Sequence, residues 1–361
     1  MANPFSERKI LKHLPTLNRY FSNEEYPPIL VEIDLTNQCT SDCPWCFGFE
    51  DRKLKNYTLG VRDSTIDPVV KYNQSMQCVS QLIDDLSMMG VKAITWTGGG
   101  DPTCHKGLFD ILELAHSKGI ENGLITNGVI DVKKALAHCQ WIRFSVDGAT
   151  KDTYGFMHGM PHHFERVVEN IKAIARIKKN TGSSCTLGVA FLTGERSKAE
   201  IVDFAKLWHG INGIDYIQYR PLLDKYGEKW FADNSDTVDL IKQAKEVDPR
   251  VTFSEPKYNA LVKGSKGLTK LCHGTFFEIA IAADGNVYPC CHFKGITDGQ
   301  GNLKYPIGSL YKERFFQIWK RHLQKRNFKT TSDCPSFCRH FGLNSFIEEE
   351  IIPQRDHENF I

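Results

Sequence analysis

The chain has 361 residues, 41% hydrophobic and 24% charged, a length and composition that suit one large globular domain and one small one. Its formal net charge of +2 advertises no polyanion, so no nucleic-acid partner is expected, and Arg321, Lys325, Arg326 and Lys329 read as a solvated helix face. Residues 1–12 lack the apolar stretch of a signal peptide and no apolar run reaches membrane-spanning length, which predicts a cytoplasmic protein.

In chain order, residues 29–36 form an apolar, β-rich run, and 67–89 have helical periodicity ending at Gly90. Residues 92–97 predict a strand and 106–118 a helix that stops at Gly119. Strands follow at 121–126 and 141–146, with a helix at 131–139 between them. A loop carrying Tyr154 and His158 leads to a helix at 163–179, a strand at 186–192, a helix at 197–208 and a strand at 216–222. Six strands, nearly all separated by helices, predict parallel βαβ units. Beyond residue 223 the pattern changes. A bridging helix is expected at 236–247, and two short strands, 276–282 and 286–290, flank Ala283-Asp284-Gly285 as a hairpin. A last helix spans 311–326, and this cysteine-rich region reads as a separate small domain.

Twelve cysteines in a reducing compartment make poor disulfide candidates and better metal ligands. Cys39, Cys43 and Cys46 form C-x3-C-x2-C directly after the first strand, on a loop with Pro44. Such a loop wraps one face of an iron–sulfur, zinc or Cu(I) centre and leaves a metal position open. The second strand ends in Thr97-Gly98-Gly99-Gly100-Asp101-Pro102, where backbone without side chains can approach a ligand closely. The third ends in Thr126-Asn127-Gly128 and the fourth in Ser145-Val146-Asp147-Gly148, and ligands gather at the C-terminal strand ends of a parallel β/α fold.

On these segments, residues 30–222 resemble the radical S-adenosylmethionine (SAM) superfamily. The resemblance implies that Cys39, Cys43 and Cys46 hold a [4Fe–4S] cluster, with Trp45 near the SAM adenine. It implies that Gly98, Gly99, Gly100 and Asp101 bind the SAM amino group; Asp101 replaces the usual Glu, and a backbone carbonyl there serves equally well. Asn127 and Ser145 fall where the family contacts SAM ribose or carboxylate, and Gln218 and Arg220 close the sixth strand near the cofactor. The implied chemistry is one-electron reductive cleavage of SAM to a 5′-deoxyadenosyl radical, with an external donor such as flavodoxin or ferredoxin.

Cys272, Cys290, Cys334 and Cys338 come from three segments of the small domain and suit a closed four-thiolate site. They resemble the twitch, or half-SPASM, domain, which implies a second [4Fe–4S] cluster with no open iron. A structural zinc is the alternative occupant, and Cys291 or His292 the alternative ligand beside Cys290. Cys78, Cys104, Cys139 and Cys185 read as ordinary thiols. The resemblance as a whole implies an α/β fold, a partial (β/α)6 TIM-type barrel with a small C-terminal α+β twitch/SPASM-like domain. The boundaries are 1–28 for an N-terminal extension, 29–225 for the barrel, 226–270 for a bridge, 271–345 for the cluster domain and 346–361 for a tail.

For substrate chemistry the candidates are His158, which stands where relatives carry an arginine, with Tyr219 and Arg220. Glu255, Tyr258 and His273 are further candidates, and Arg52, Lys53 and Lys55 could meet an anion. A saturated second cluster suits an electron acceptor, so the expected function is oxidation of an alcohol or amine of a small polar metabolite: a cyclitol, sugar or nucleotide-derived compound. Peptide maturation, redox-neutral epimerisation or rearrangement, and plain electron transfer are the alternatives.

Overall fold

A computed structural model describes residues 6–46, 73–222, 236–262, 269–298, 300, 302–326, 328–334 and 338–353. The expected contributions of Arg52, Lys53 and Lys55, residues 67–72 of the first helix, and parts of the bridge and tail lie outside these residues.

Helix α1 (Leu14–Phe21) precedes strand β1 (Leu30–Asp34), whose Val31 and Ile33 are fully buried. Helix α2 (Met76–Met89) is shorter than its periodicity predicts, because Asn73 bridges to Thr36 in extended form and the Ser75 hydroxyl caps Cys78 N–H at 3.2 Å. It stops at Gly90 in the left-handed conformation, φ 85°. Strand β2 (Ala93–Thr97), helix α3 (Leu108–Ser117) and strand β3 (Glu121–Thr126) follow as expected. The helix expected at 131–139 is only a 3-10 turn over Lys133–Ala137, since a short link cannot repay the cost of nucleating an α-helix.

Strand β4 (Trp141–Ser145) leads to helix α4 (Lys151–His158), where the sequence predicts a loop. Thr150 caps its start, and Gly159, φ 70°, ends it against the Asp42 carbonyl, which a Cβ would approach to 2.5 Å. Then come α5 (Phe164–Thr181), β5 (Thr186–Thr193), α6 (Ile201–Trp208) and β6 (Tyr216–Pro221). The bridge contains α7 (Thr237–Val247), a two-residue strand β7 (Val251–Thr252) and α8 (Glu255–Val262). The predicted hairpin is β8 (Glu278–Ile281) and β9 (Asn286–Tyr288), followed by β10 (Gly308–Ser309), α9 (Phe315–Leu323) and α10 (Phe341–Phe346).

Among the described residues one sheet runs through ten strands in the order β10-β9-β8-β1-β2-β3-β4-β5-β6-β7. Strands β1 to β6 pair in parallel and in sequence, as a partial (β/α) barrel requires. Strand β8 pairs in parallel with β1, Leu30 opposite Glu278, so the sheet crosses the boundary expected at residue 271. Strand β8 thus extends the barrel sheet at the free edge of β1, which needs a partner there. Asp85 on α2 accepts the Arg314 guanidinium, 3.0 Å from Nε, and docks the start of α9.

Between the sheet and the helices, Asn122 is fully buried on β3. Its amide donates to the Leu112 and His138 carbonyls, both at 2.9 Å, and its carbonyl accepts the Trp96 indole N–H at 2.8 Å. Asn122→Ala strands all three partners away from water. It is expected to cost about 3 kcal/mol or more of stability, read as a lowered urea midpoint.

Candidate active site

The first cysteine loop leaves β1 and is held by backbone. Gly100 N–H donates to Thr36 at 3.0 Å, Asp101 N–H to Gln38 at 2.8 Å, and Asp42 N–H to His158 at 2.8 Å. A Cβ at Gly100 would lie 2.0 Å from the Gln38 carbonyl, and one at Gly98 2.3 Å from that of Gly100. Only glycine lets the strand end pass this close to the cysteine loop. The Asp101 carboxylate accepts Asn127 N–H at 2.7 Å, the Thr126 hydroxyl at 3.0 Å and Thr103 N–H at 2.9 Å, tying the ends of β2 and β3 together. The Asn127 amide in turn donates to Thr40 Oγ1 at 2.9 Å, Ser41 Oγ at 3.1 Å and Cys39 Sγ at 3.5 Å. Trp45 packs on Phe156 of α4, ring centroids 5.7 Å apart.

Cys39, Cys43 and Cys46 are half-buried thiols, in no disulfide among the described residues. The His158 ring is buried at the end of α4, with Nδ1 3.5 Å from Cys43 Sγ and Nε2 3.2 Å from Asp147 Oδ2. Tyr154 stacks on it at 4.6 Å. Asp147 holds a left-handed backbone, φ 59°, while its other carboxylate oxygen accepts Leu192 N–H at 2.8 Å. The histidine expected on a loop is a helical residue, its ring enclosed between Tyr154, Asp147 and the Cys43 thiol.

Strand alternation decides which side chains enter the barrel lumen. Arg143 and Ser145 share one face of β4, and Gln218 and Arg220 share one face of β6, each more exposed than the intervening residues. Arg143 Nη1 donates to Gln218 Oε1 at 3.2 Å. Tyr219 is the correction: one residue out of phase, it faces the helices and donates to the Ile201 carbonyl at 2.7 Å. Burial pushes its phenol far above the usual range, so it offers no lumen acid or base. The other candidates are also engaged elsewhere. Tyr258 meets Thr193 at 2.9 Å, Glu255 pairs with Lys242 at 2.9 Å, and His273 meets the Tyr20 hydroxyl at 2.6 Å.

Sequence reasoning missed a buried charge network at the seam of β1 and β8. Lys294 lies 2.8 Å from both Asp34 oxygens and 3.2 Å from Glu32. Arg339 pairs with Glu32 and, at 2.6 Å, with Glu278. His340 Nε2 is 3.2 Å from Glu278, and its Nδ1 is 3.8 Å from Cys272 Sγ. Burial opposes ionisation of Glu32, yet Arg339 and Lys294 overcome it and hold the carboxyl at about 2. Burial, reinforced by the Glu32 charge, pushes Asp34 up to about 6 despite Lys294. Two acids spaced i, i+2 in an otherwise apolar strand were the available signal.

Cys272, Cys290, Cys334 and Cys338 line a single cavity beside Phe293 and Phe328. Cys272 accepts the Asn344 amide at 3.6 Å and Cys334 accepts Thr331 N–H at 3.3 Å. Burial would raise the Cys272 thiol, but the contacts from His340 and Asn344 bring it below its ordinary value. Cys291 does not line the cavity; its sulfur faces Arg339 Nη1 at 3.5 Å. The thiols of Cys290 and Cys291 and a nitrogen of His292 nevertheless lie within 4.8 Å of one another. Four thiols around one enclosed space, with N–H donors aimed at the sulfurs, fit an all-thiolate centre.

Residues 33–207 match the family model described as the radical SAM superfamily, and residues 272–340 match an iron–sulfur cluster-binding domain, SPASM. The second match, to an iron–sulfur cluster-binding domain, spans Cys272, Cys290, Cys334 and Cys338. The chain is 21% identical to an AdoMet-dependent heme synthase of Methanosarcina barkeri over 86% of this chain and 87% of that one. A second AdoMet-dependent heme synthase, from Oleidesulfovibrio alaskensis, is 23% identical over 74% of this chain and 71% of its own. Among solved structures, Streptococcus suis SuiB bound to S-adenosylmethionine shares the fold with a TM-score of 0.59 at 15% identity, covering 86% of this chain and 69% of SuiB. No helix among the described residues is long and apolar enough to cross a membrane.

Proposed function

This chain belongs to the radical SAM superfamily and carries a C-terminal iron–sulfur cluster-binding domain of the SPASM type, and from that premise we propose that it oxidises an alcohol or amine of a small polar metabolite in the cytoplasm. Its cofactors are SAM and two [4Fe–4S] clusters. When bound, the first cluster and SAM supply a 5′-deoxyadenosyl radical that abstracts hydrogen, and the second supplies an acceptor for the electron that leaves.

The chain's residues do the rest. Cys39, Cys43 and Cys46 hold one cluster, and Cys272, Cys290, Cys334 and Cys338 the other. Gly98, Gly99 and Gly100 admit the SAM amino group to the backbone, with Asn127 bracing the cysteine loop and Trp45 flanking it. Ser145, Gln218, Arg143 and Arg220 line the lumen in which SAM and substrate meet. The substrate carbon gives up a hydrogen atom. It then loses a proton from its oxygen or nitrogen and one electron, and ends as C=O or C=N. A donor such as flavodoxin or ferredoxin returns the electron that SAM cleavage consumes.

The observation that carries this reading is the four-cysteine cavity, whose ligands leave no open iron for substrate and suit electron transfer. The test is anaerobic assay of reconstituted protein and its Cys334→Ala/Cys338→Ala variant against a panel of polyols, amino sugars and nucleosides. The wild-type protein is expected to yield 5′-deoxyadenosine with a product lacking two hydrogens. The variant is expected to keep cleaving SAM while losing the oxidised product by about a hundredfold or more. An isomerised product with no net oxidation sinks the oxidase reading in favour of epimerisation or rearrangement. A second reading, supported by the relatives that match most of both chains, takes a haem precursor as substrate; a tetrapyrrole belongs in the same panel.

A further inference from the structure

We infer that Asn344 sets the electron affinity of the four-cysteine site: its amide N–H, aimed at Cys272 Sγ, raises the reduction potential of the cluster held there. That the raised potential serves to take an electron from substrate rests on the function proposed above. Asn344 lies in the six-residue helix α10, where its side chain lines the cavity and only 2% of the residue is exposed. Asparagine is a poor helix former, and a buried amide is tolerated where its donors and its acceptor are engaged. The carbonyl oxygen of Asn344 accepts Gly274 N–H at 2.9 Å, and its nitrogen stands 3.6 Å from Cys272 Sγ. The first bond fixes the second. A flipped amide would set its NH2 against the Gly274 N–H, donor against donor, so the nitrogen must face the sulfur. The close approach of the two segments needs a glycine, because a Cβ at Gly274 would lie 2.4 Å from His340 Cγ.

Other groups reach the ligand sulfurs, but differently. Thr331 N–H, 3.3 Å from Cys334 Sγ, belongs to the backbone. His340 Nδ1 is 3.8 Å from Cys272 Sγ while its Nε2 faces Glu278 at 3.2 Å, so what the ring donates follows its proton. The Asn344 amide carries no titrating proton and donates at any pH. An electron added to an iron–sulfur cluster spreads onto its sulfurs, and an N–H donated to a ligand sulfur stabilises that more negative state. Between Phe293 and Phe328 the local dielectric is low, which strengthens such a bond relative to water.

The test is an anaerobic reductive titration of the reconstituted holoenzyme, followed by electron paramagnetic resonance, on wild type, Asn344→Leu and Asn344→Asp. Leucine keeps the volume without the donor, and aspartate keeps an acceptor for Gly274 N–H without the donor. The second cluster is expected to titrate at least about 59 mV lower in each variant, a tenfold change in its one-electron reduction equilibrium. The first cluster, recognised by the change that added SAM makes to its signal, is expected to titrate as in wild type, at unchanged iron content. An unmoved second-cluster potential overturns the inference. So does an equal shift of both clusters, which would report a general change of fold. Loss of about four irons in both variants also overturns it, by making Asn344 a residue of cluster assembly. Product analysis separates this inference from the proposed function. An unmoved potential with substrate still oxidised leaves the function standing, whereas a lowered potential in a protein that oxidises no substrate leaves only the assignment of Asn344.

Discussion

Cys43→Ala is expected to abolish 5′-deoxyadenosine formation and to lower the iron content of the reconstituted protein from about eight to about four per chain. Cys43 is the middle ligand of a loop whose backbone is clamped from both sides, by Asp42 N–H on the His158 carbonyl and by Asp101 N–H on Gln38. The clamps persist in the variant, so the loss is chemical rather than a collapse of the loop. Two thiolates cannot keep a cubane that leaves its fourth iron open. His158 Nδ1, 3.5 Å from the missing sulfur, is the nearest substitute ligand. Retention of about eight irons would mean that it has taken over, and the double variant Cys43→Ala/His158→Ala would then lose them. Iron and acid-labile sulfide analysis beside an anaerobic cleavage assay reads both outcomes, and an unchanged far-ultraviolet circular dichroism spectrum confirms an intact fold.

The second large effect separates two adjacent cysteines. Cys290→Ala is expected to lose the auxiliary cluster, about four irons of about eight, whereas Cys291→Ala retains it. Cys290 lines the cavity with Cys272, Cys334 and Cys338, while the sulfur of Cys291 faces the Arg339 guanidinium. Removing Cys291 leaves Arg339 its two carboxylate partners, Glu32 and Glu278, so little rearrangement is expected there. Mössbauer spectra of the two ⁵⁷Fe-reconstituted variants measure the difference. The opposite pattern would make Cys291 the ligand and require the 3-10 turn that spans Cys291–Phe293 to rotate.

Both effects turn on residues visible in the bare sequence, and the reason is local. Ligands spaced x3 and x2 on one loop, or a Gly-Gly-Gly run after a strand, act through neighbours in the chain, and short-range spacing is what a sequence displays directly. The strand positions were legible for a similar reason: period-2 and period-3.6 patterns report burial faces element by element. Where helix ends depended on a cap or a bridge, as at Ser75 and Asn73, the periodicity overran the true start. Tyr219 was misassigned because a strand end was read as a cluster, when alternation sends it to the opposite face from Gln218 and Arg220.

From the residue order alone come the radical SAM barrel, both sets of cysteines and the glycine run beside the first set. The pairing of β8 with β1, the placement of His158 on Cys43, and the Lys294, Arg339 and His340 network come from the folded chain. Lys294 and Asp34 stand 260 positions apart, and no local pattern couples them. They meet because closing the sheet against β1 buries two acids at one seam, and a buried carboxylate requires a cation wherever the chain can deliver one.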